Sequence, residues 1–331
     1  MTGVVLESDA LRVRVNPRVG GTITEVVHMA SGLSVLGRVP WQPVDAPLEP
    51  PAAPDERTWL TRYTGGWPLL FPNGGDACDF AGMFHGFHGE ASIAPWQATG
   101  GGTALHLERR FQSVPATMRR EIALDRDVVV VRETAMAEGD APVTVMWGHH
   151  PTFGSDLLDG DFELQSGART ILVDGGYDPP ANPLQPGARG AWPVVAGKAG
   201  PVDLRRAPRG VVAAMAYLAD FAAPWVSLRR LDNAIAATLS WDAAVFPCAW
   251  LWYELGGTPD APWNGRTRLI GLEPNTTCLG GGLAQAARRG ETLLTLRPGI
   301  AVSATVRLHV CKPAGAIAGV DKDGRGFSGA L

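Results

Sequence analysis

In the run ALRVRVN, Leu11, Val13 and Val15 fall on one side and Arg12 and Arg14 on the other. Alternation with a period of two marks a half-buried β-strand, because successive side chains leave a strand on opposite faces. The pattern recurs along the chain. MRREIALDRDVVVVRET reads as two strands around a short DRD turn. In LLTLRPGIAVSATVRLHV, Pro298 and Gly299 mark a turn, and the run after it places Ile300, Val302, Ala304, Val306, Leu308 and Val310 on one face. Helical spacing occurs only over GGLAQAARRG, residues 281–290. With 41 glycines and 27 prolines there is little room for long helices, and the pattern predicts an all-β fold, a large antiparallel β-sandwich.

Two Pro-rich stretches, residues 40–56 and 177–193, read as surface loops. Composition does not change across either, so residues 1–315 are expected to form a single domain. Residues 316–331 are Gly-rich and polar and are expected to fray as a flexible tail. The DKDG within them lacks the remaining ligands and closing glutamate of a calcium loop.

Hydrophobic residues make up 45% of the 331 and charged residues 19%, which is enough for a sizeable core and argues against disorder. The net charge of −4 comes without any basic stripe, so nucleic acid is not an expected partner. No apolar stretch approaches the ~18 residues of a membrane span. The start, MTGVVLESDALRVRV, has no basic and apolar leader pattern, so a cytoplasmic location is expected. Cys78, Cys248, Cys278 and Cys311 are scattered without metal-binding or disulfide spacing and read as reduced thiols.

Four of the seven histidines cluster. His85 and His88 lie in GMFHGFHGEASIAPW, and His149 and His150 close the strand-like run VTVMWGHHPTFG. Pro151 holds His150 extended at a strand end, a position suited to facing a cleft. Glu273 in RTRLIGLEPNTT is held likewise by Pro274 and shares a face with Leu269 and Gly271. In PCAWLWYELGG, Trp250, Trp252 and Glu254 share a face; aligned tryptophans suit either a core or a cleft that packs against the apolar face of a sugar. His28, His106 and His309 stand apart from these clusters, and the alternation points His106 and His309 to solvent.

The ordered motifs GGWPLLFPNGGD, FHGEA with a following PW, GHHPTFG and FPCAWLWYELGG through LIGLEPNTT resemble the aldose 1-epimerase (galactose mutarotase-like) superfamily, in particular a bacterial branch with an FHGE motif. The resemblance runs from about residue 8 to about residue 310 and implies the supersandwich fold of that family. It also implies an isomerase: an aldose 1-epimerase (mutarotase) that needs no cofactor or metal and acts on a small sugar as a monomer or homodimer. Carried onto this chain, the family's base corresponds to Glu273 and its two ring-contacting histidines to His150 and His88, with His85 as the alternative in the doubled HG. Asn73, Asp76, His149 and Trp252 become candidate sugar contacts, as does His85. The loop before the HG motif reads FPNGGD, without the arginine of galactose-type members, and no counterpart to their middle-region aspartate is evident. The resemblance therefore implies the chemistry rather than galactose as its substrate.

That chemistry removes a proton from the C1 hydroxyl and delivers one to the ring oxygen, so the ring opens, C1 rotates and the ring closes. It calls for an acid and a base on opposite sides of the sugar, each able to reverse roles. Three other readings share these residues. A metal site would draw on His85, His88, Glu90, His149 and His150. A carbohydrate-binding protein would keep the tryptophans without needing Glu273. An epimerase or lyase acting on a sugar phosphate would want arginines, for which Arg266 and Arg268 are placed nearby in sequence.

Overall fold

A computed structural model describes residues 3–49, 53–206 and 210–329. Residues 50–52 of the first Pro-rich stretch and 330–331 of the expected tail lie outside the described residues.

Two large antiparallel sheets dominate. One has eight strands, ordered Phe162–Ser166, Trp225–Arg230, Ala236–Trp241, Val302–Cys311, Val128–Ala137, Ala116–Asp125, Ala104–Arg110 and Gln97–Gly101. The other has ten, and its centre runs Thr170–Val173, Val212–Ala219, Cys248–Leu255, Arg268–Asn275 and then Gly148–His149. Thr152–Phe153 also pairs with Arg268–Asn275. A smaller four-stranded sheet forms from residues 4–34.

The alternation explains what is buried. Leu11, Val13 and Val15 are fully buried and belong to the main core, while Arg12 and Arg14 are part-exposed. The DRD turn pairs Asp125 with Val128, and Arg126 adopts the left-handed conformation at its tip. Around Pro298–Gly299 the two flanking strands do not pair with each other. Leu294–Leu296 joins Val143–Val145, and Val302–Cys311 enters the eight-stranded sheet. Ile300, placed on the buried face by the alternation, lies in the connection and is exposed. The helical spacing at 281–290 corresponds to the helix Gly282–Arg288.

A second helix, Glu56–Leu60, closes the first Pro-rich stretch. Asp55 caps it, its Oδ1 accepting from the Thr58 N–H at 2.8 Å. The helix is short, so it stands on that cap and on burial of Trp59 and Leu60.

The C-terminal stretch differs from the expectation. Ile317–Val320 and Gly326–Ser328 form an antiparallel hairpin. Its turn is closed by Asp321, whose Oδ1 accepts the N–H groups of Asp323 and Arg325, and Arg325 reaches Asp125 and Asp127. Asp321 and Arg325 thus spend their side chains on the turn and on the neighbouring sheet, while Lys322 and Asp323 stay exposed. The same hairpin corrects His309, which is buried: its Nδ1 accepts the Gly326 N–H at 3.0 Å and its Nε2 lies 3.3 Å from Asp127. Period-two alternation says which face a residue takes, not whether a later segment covers that face.

Among the described residues no helix is long and apolar enough to cross a membrane.

Candidate active site

The ten-stranded sheet has two differently used faces. Ile270, Leu272, Leu251 and Ala249 face the core between the sheets. Leu269 packs with Trp59, Leu60 and Tyr63 on the other side, and Trp250 with Tyr217 and Leu283. On that outer side lies a cavity of about 590 Å³, within the usual ~300–1,000 Å³ of small-molecule sites. Glu273, His150, His88, Trp252, Trp250 and Asp76 all line it.

Glu273, expected at a strand end, lies instead within the strand Arg268–Asn275, which continues through Pro274, and is 1% exposed. Its carboxylate leans back over Gly271, where a Cβ would meet Oε1 at 2.2 Å. Glycine at 271 thus makes the room that the carboxylate occupies. Among the described residues no arginine or lysine forms an ion pair with Glu273, and its Oε2 has no hydrogen-bond partner. Burial alone pushes its carboxyl well above the usual range, because a lone carboxylate cannot keep its charge away from water.

His150 is held by its backbone N–H, which donates to the Pro68 carbonyl at 2.9 Å. Its ring lies among Tyr63, Trp59, Trp252 and His88 at centroid distances of 5.2–6.1 Å. Its Nε2 is 3.6 Å from Glu273 Oε1, too far for a direct hydrogen bond. Burial lowers the ring to about 4. The acid and base expected on opposite sides of a sugar therefore stand side by side. That suffices, because the C1 hydroxyl and the ring oxygen are both bonded to C1.

Phe87 packs against His88 at a tilt of 54° with centroids 4.0 Å apart and meets Trp59 edge-on. His88 takes a left-handed backbone, φ 57°, and its N–H donates to the Gly75 carbonyl. Its Nδ1 accepts the Gly75 N–H at 3.0 Å. A nitrogen that accepts cannot also carry the proton, so the proton sits on Nε2 and His88 is a donor. Burial and the neighbouring His150 keep it neutral, well below the usual histidine range. Gly89, φ 75°, passes the Phe71 carbonyl so closely that a Cβ would meet that oxygen at 2.4 Å. Glu90 is an anchor: it pairs with Arg109, and its Oε2 accepts from the Gln112 N–H, the Ser113 N–H and the Ser113 hydroxyl.

Three other candidates lie elsewhere. His149, next to His150, points to the opposite face as alternation dictates. Trp67 Nε1 donates to its Nδ1 at 3.1 Å, and its Nε2 lies 3.2 Å from Glu133. His85 is buried in the hairpin of Cys78–Phe80 with Met83–His85 and does not line the cavity. Asn73 is fully buried and spends its amide on protein: Nδ2 donates to the carbonyls of Asp76 and Gly86, and Oδ1 accepts the Leu283 N–H, all at 2.9 Å. It staples two loops to a helix and has no group left for a sugar. Consequently the residues considered as metal ligands do not converge: His149 and Glu90 are engaged elsewhere and His85 is separate. Among the described residues no three His, Cys, Asp or Glu side chains gather at one point.

Trp59, Tyr63 and Trp263 also line the cavity and were not anticipated. Trp59 Nε1 donates to Ser92 Oγ and the Tyr63 hydroxyl to Thr152 Oγ1, so each aromatic wall is fixed by its polar end. The available signal was DERTWLTRY, a helix cap followed by aromatics four residues apart.

No protein-family model and no curated protein sequence matches the chain. Its fold is similar to that of several solved structures. One is the Slr1438 protein of Synechocystis sp. PCC 6803, at 19% identity and TM-score 0.66, with 94% of this chain and 96% of that chain covered. A putative aldose 1-epimerase from Escherichia coli K12 matches at 15% identity and TM-score 0.67, covering 93% and 98%. A GalM/aldose epimerase homologue from C. elegans matches at 11% identity and TM-score 0.62, covering 94% and 98%. At such identities the likeness concerns the fold, which is the galactose mutarotase-like β-sandwich.

Proposed function

We propose that this protein is an isomerase that interconverts the α and β anomers of a free aldose. The observation that carries this reading is Glu273, a buried carboxyl without a cation, 3.6 Å from the Nε2 of His150 in an aromatic-walled cavity. Together the two groups hold one exchangeable proton. With the carboxyl raised and the imidazole lowered, that proton rests on Glu273 in the empty site. Sugar hydroxyls that donate to the carboxylate replace its missing partners and shift the proton toward His150. Glu273 then takes the proton of the C1 hydroxyl while His150 delivers one to the ring oxygen. His88, a fixed Nε2–H donor, orients that oxygen. Reversal after rotation about C1 restores both groups, and no redox step is involved.

The pH dependence follows. Below about 4 His150 becomes protonated while Glu273 stays neutral, so no base is left and activity falls. At high pH Glu273 loses its proton while His150 is neutral, and the acid is lost.

The sugar-phosphate reading is disfavoured because neither Arg266 nor Arg268 lines the cavity, and among the described residues Arg289 is the only arginine that does. A protein that merely held a sugar could use Glu273 as an acceptor for hydroxyls but would need no imidazole 3.6 Å from it to exchange the proton.

The test is optical rotation of freshly dissolved α-glucose, α-galactose and other α-aldoses with and without enzyme. Acceleration is expected for at least one sugar, reduced ~10²–10⁴-fold by Glu273→Gln, the usual span for a positioned acid or base. No acceleration for any aldose, or an undiminished Glu273→Gln variant, overturns the reading.

A further inference from the structure

The strand register lays out the cavity floor as two parallel rows. Glu273 pairs with Trp250, and Trp250 with Tyr217. In the next row Gly271 pairs with Trp252, Trp252 with Met215, and the Asp174 N–H donates to the Met215 carbonyl. At ~4.8 Å per strand, the floor runs about 14 Å sideways from Glu273 to Asp174. Ordinary bond lengths make a pyranose only ~5 Å from O1 to O4. A single ring anchored at Glu273 therefore covers Trp250 and Trp252 and leaves the Tyr217–Met215 stretch bare. The cavity, at about 590 Å³, falls in the range that holds ligands larger than one hexose ring.

The far stretch is built rather than incidental. The Tyr217 hydroxyl donates to the Asp174 carboxylate and accepts the Gly280 N–H at 3.0 Å. Asp174 Oδ1 also accepts the N–H groups of Gly176 and Tyr177. One hydrogen-bonded pair thus ties both walls, the Gly280 loop and the Tyr177 loop, to the floor. On the first wall Gln285 makes no side-chain hydrogen bond among the described residues, and Arg289 makes one, to the Gly280 carbonyl. Gln285 and the remaining N–H groups of Arg289 are spare donors facing a half-apolar floor, the combination that a second sugar ring uses.

We propose that the cavity takes the reducing end of a saccharide longer than one ring. The anomeric ring sits at Glu273, His150 and His88, and the next glycosyl unit lies on Met215 and Tyr217, read by Gln285 and Arg289. The inference rests on the anomer-exchange reading above. Only the hemiacetal at the reducing end opens and closes; the glycosidic bond stays intact.

The experiment compares kcat/KM for anomer exchange of maltose, cellobiose and lactose with that of glucose and galactose. At least one disaccharide is expected to exceed its monosaccharide about tenfold, as one or two added hydrogen bonds and a covered apolar face would give. Met215→Trp, which fills the far floor, and the Gln285→Ala/Arg289→Ala pair, on a partly exposed helix, each lower that ratio about fivefold or more. Turnover of monosaccharides with no disaccharide preference, or a ratio that neither variant moves, overturns the second subsite and leaves the anomer reading standing. Turnover of neither class overturns both.

Discussion

His149 and His150 are consecutive, yet they enter opposite environments. His149 faces the core between the sheets, where Glu133 has an arginine at 2.9 Å through Arg120 Nε and accepts the Trp147 Nε1–H at 3.0 Å. Burial pushes the Glu133 carboxyl up, but His149, Arg120 and Trp147 together hold it below the usual range. His150 faces the cavity, where Glu273 has no such partners and is pushed up instead. Both carboxyls are about equally buried, at 2% and 1% exposure. Burial therefore does not separate a structural carboxylate from a candidate base; the supply of partners does.

The comparison can be broken at either end. Glu133→Gln leaves the Arg120 guanidinium buried and unpaired and should cost ~3–5 kcal/mol, read as a lower denaturation midpoint, whereas Glu273→Gln should leave stability unchanged or raised. Equal losses would erase the distinction. Next in size is the pH effect of His150. Its folded value lies below its unfolded one, so its contribution is complete above about 6.5 and is lost as pH falls toward about 4. The span is worth about 3 kcal/mol at ~1.4 kcal/mol per unit, and His150→Gln should flatten that part of the stability profile. Asn73→Ala should cost ~1–3 kcal/mol, because it strands the Leu283 N–H and two carbonyls; a change in sugar affinity without loss of stability would return Asn73 to the list of sugar contacts. Smallest is Arg325→Ala, an ion-paired side chain at the C-terminal hairpin, at ~1 kcal/mol or less in thermal unfolding.

Strands were legible because alternation is local; Glu273, His150 and His88 were singled out by the motifs that resemble the aldose 1-epimerase superfamily, and Pro274, read as marking a strand end, lies inside the strand Arg268–Asn275. The structure brings those three into one cavity with Trp252 and Asp76. What escaped depended on contacts distant in sequence. Asn73 reads as a loop amide open to a ligand until Gly86 and Leu283 take its groups. His309 reads as solvent-facing until a hairpin formed after it covers it. His149 was grouped with His150 by adjacency, although adjacency in a strand means opposite faces. The far cavity floor needed the register of four strands, which no single segment contains.

The most direct test of the central claim is difference infrared spectroscopy at pH 7 on the wild type, Glu273→Gln and Glu133→Gln. A protonated-carboxyl band is expected that Glu273→Gln removes, that Glu133→Gln leaves in place, and that weakens when an aldose is added. A Glu273 signal found only in the ionised carboxylate region, unmoved by sugar, would contradict it.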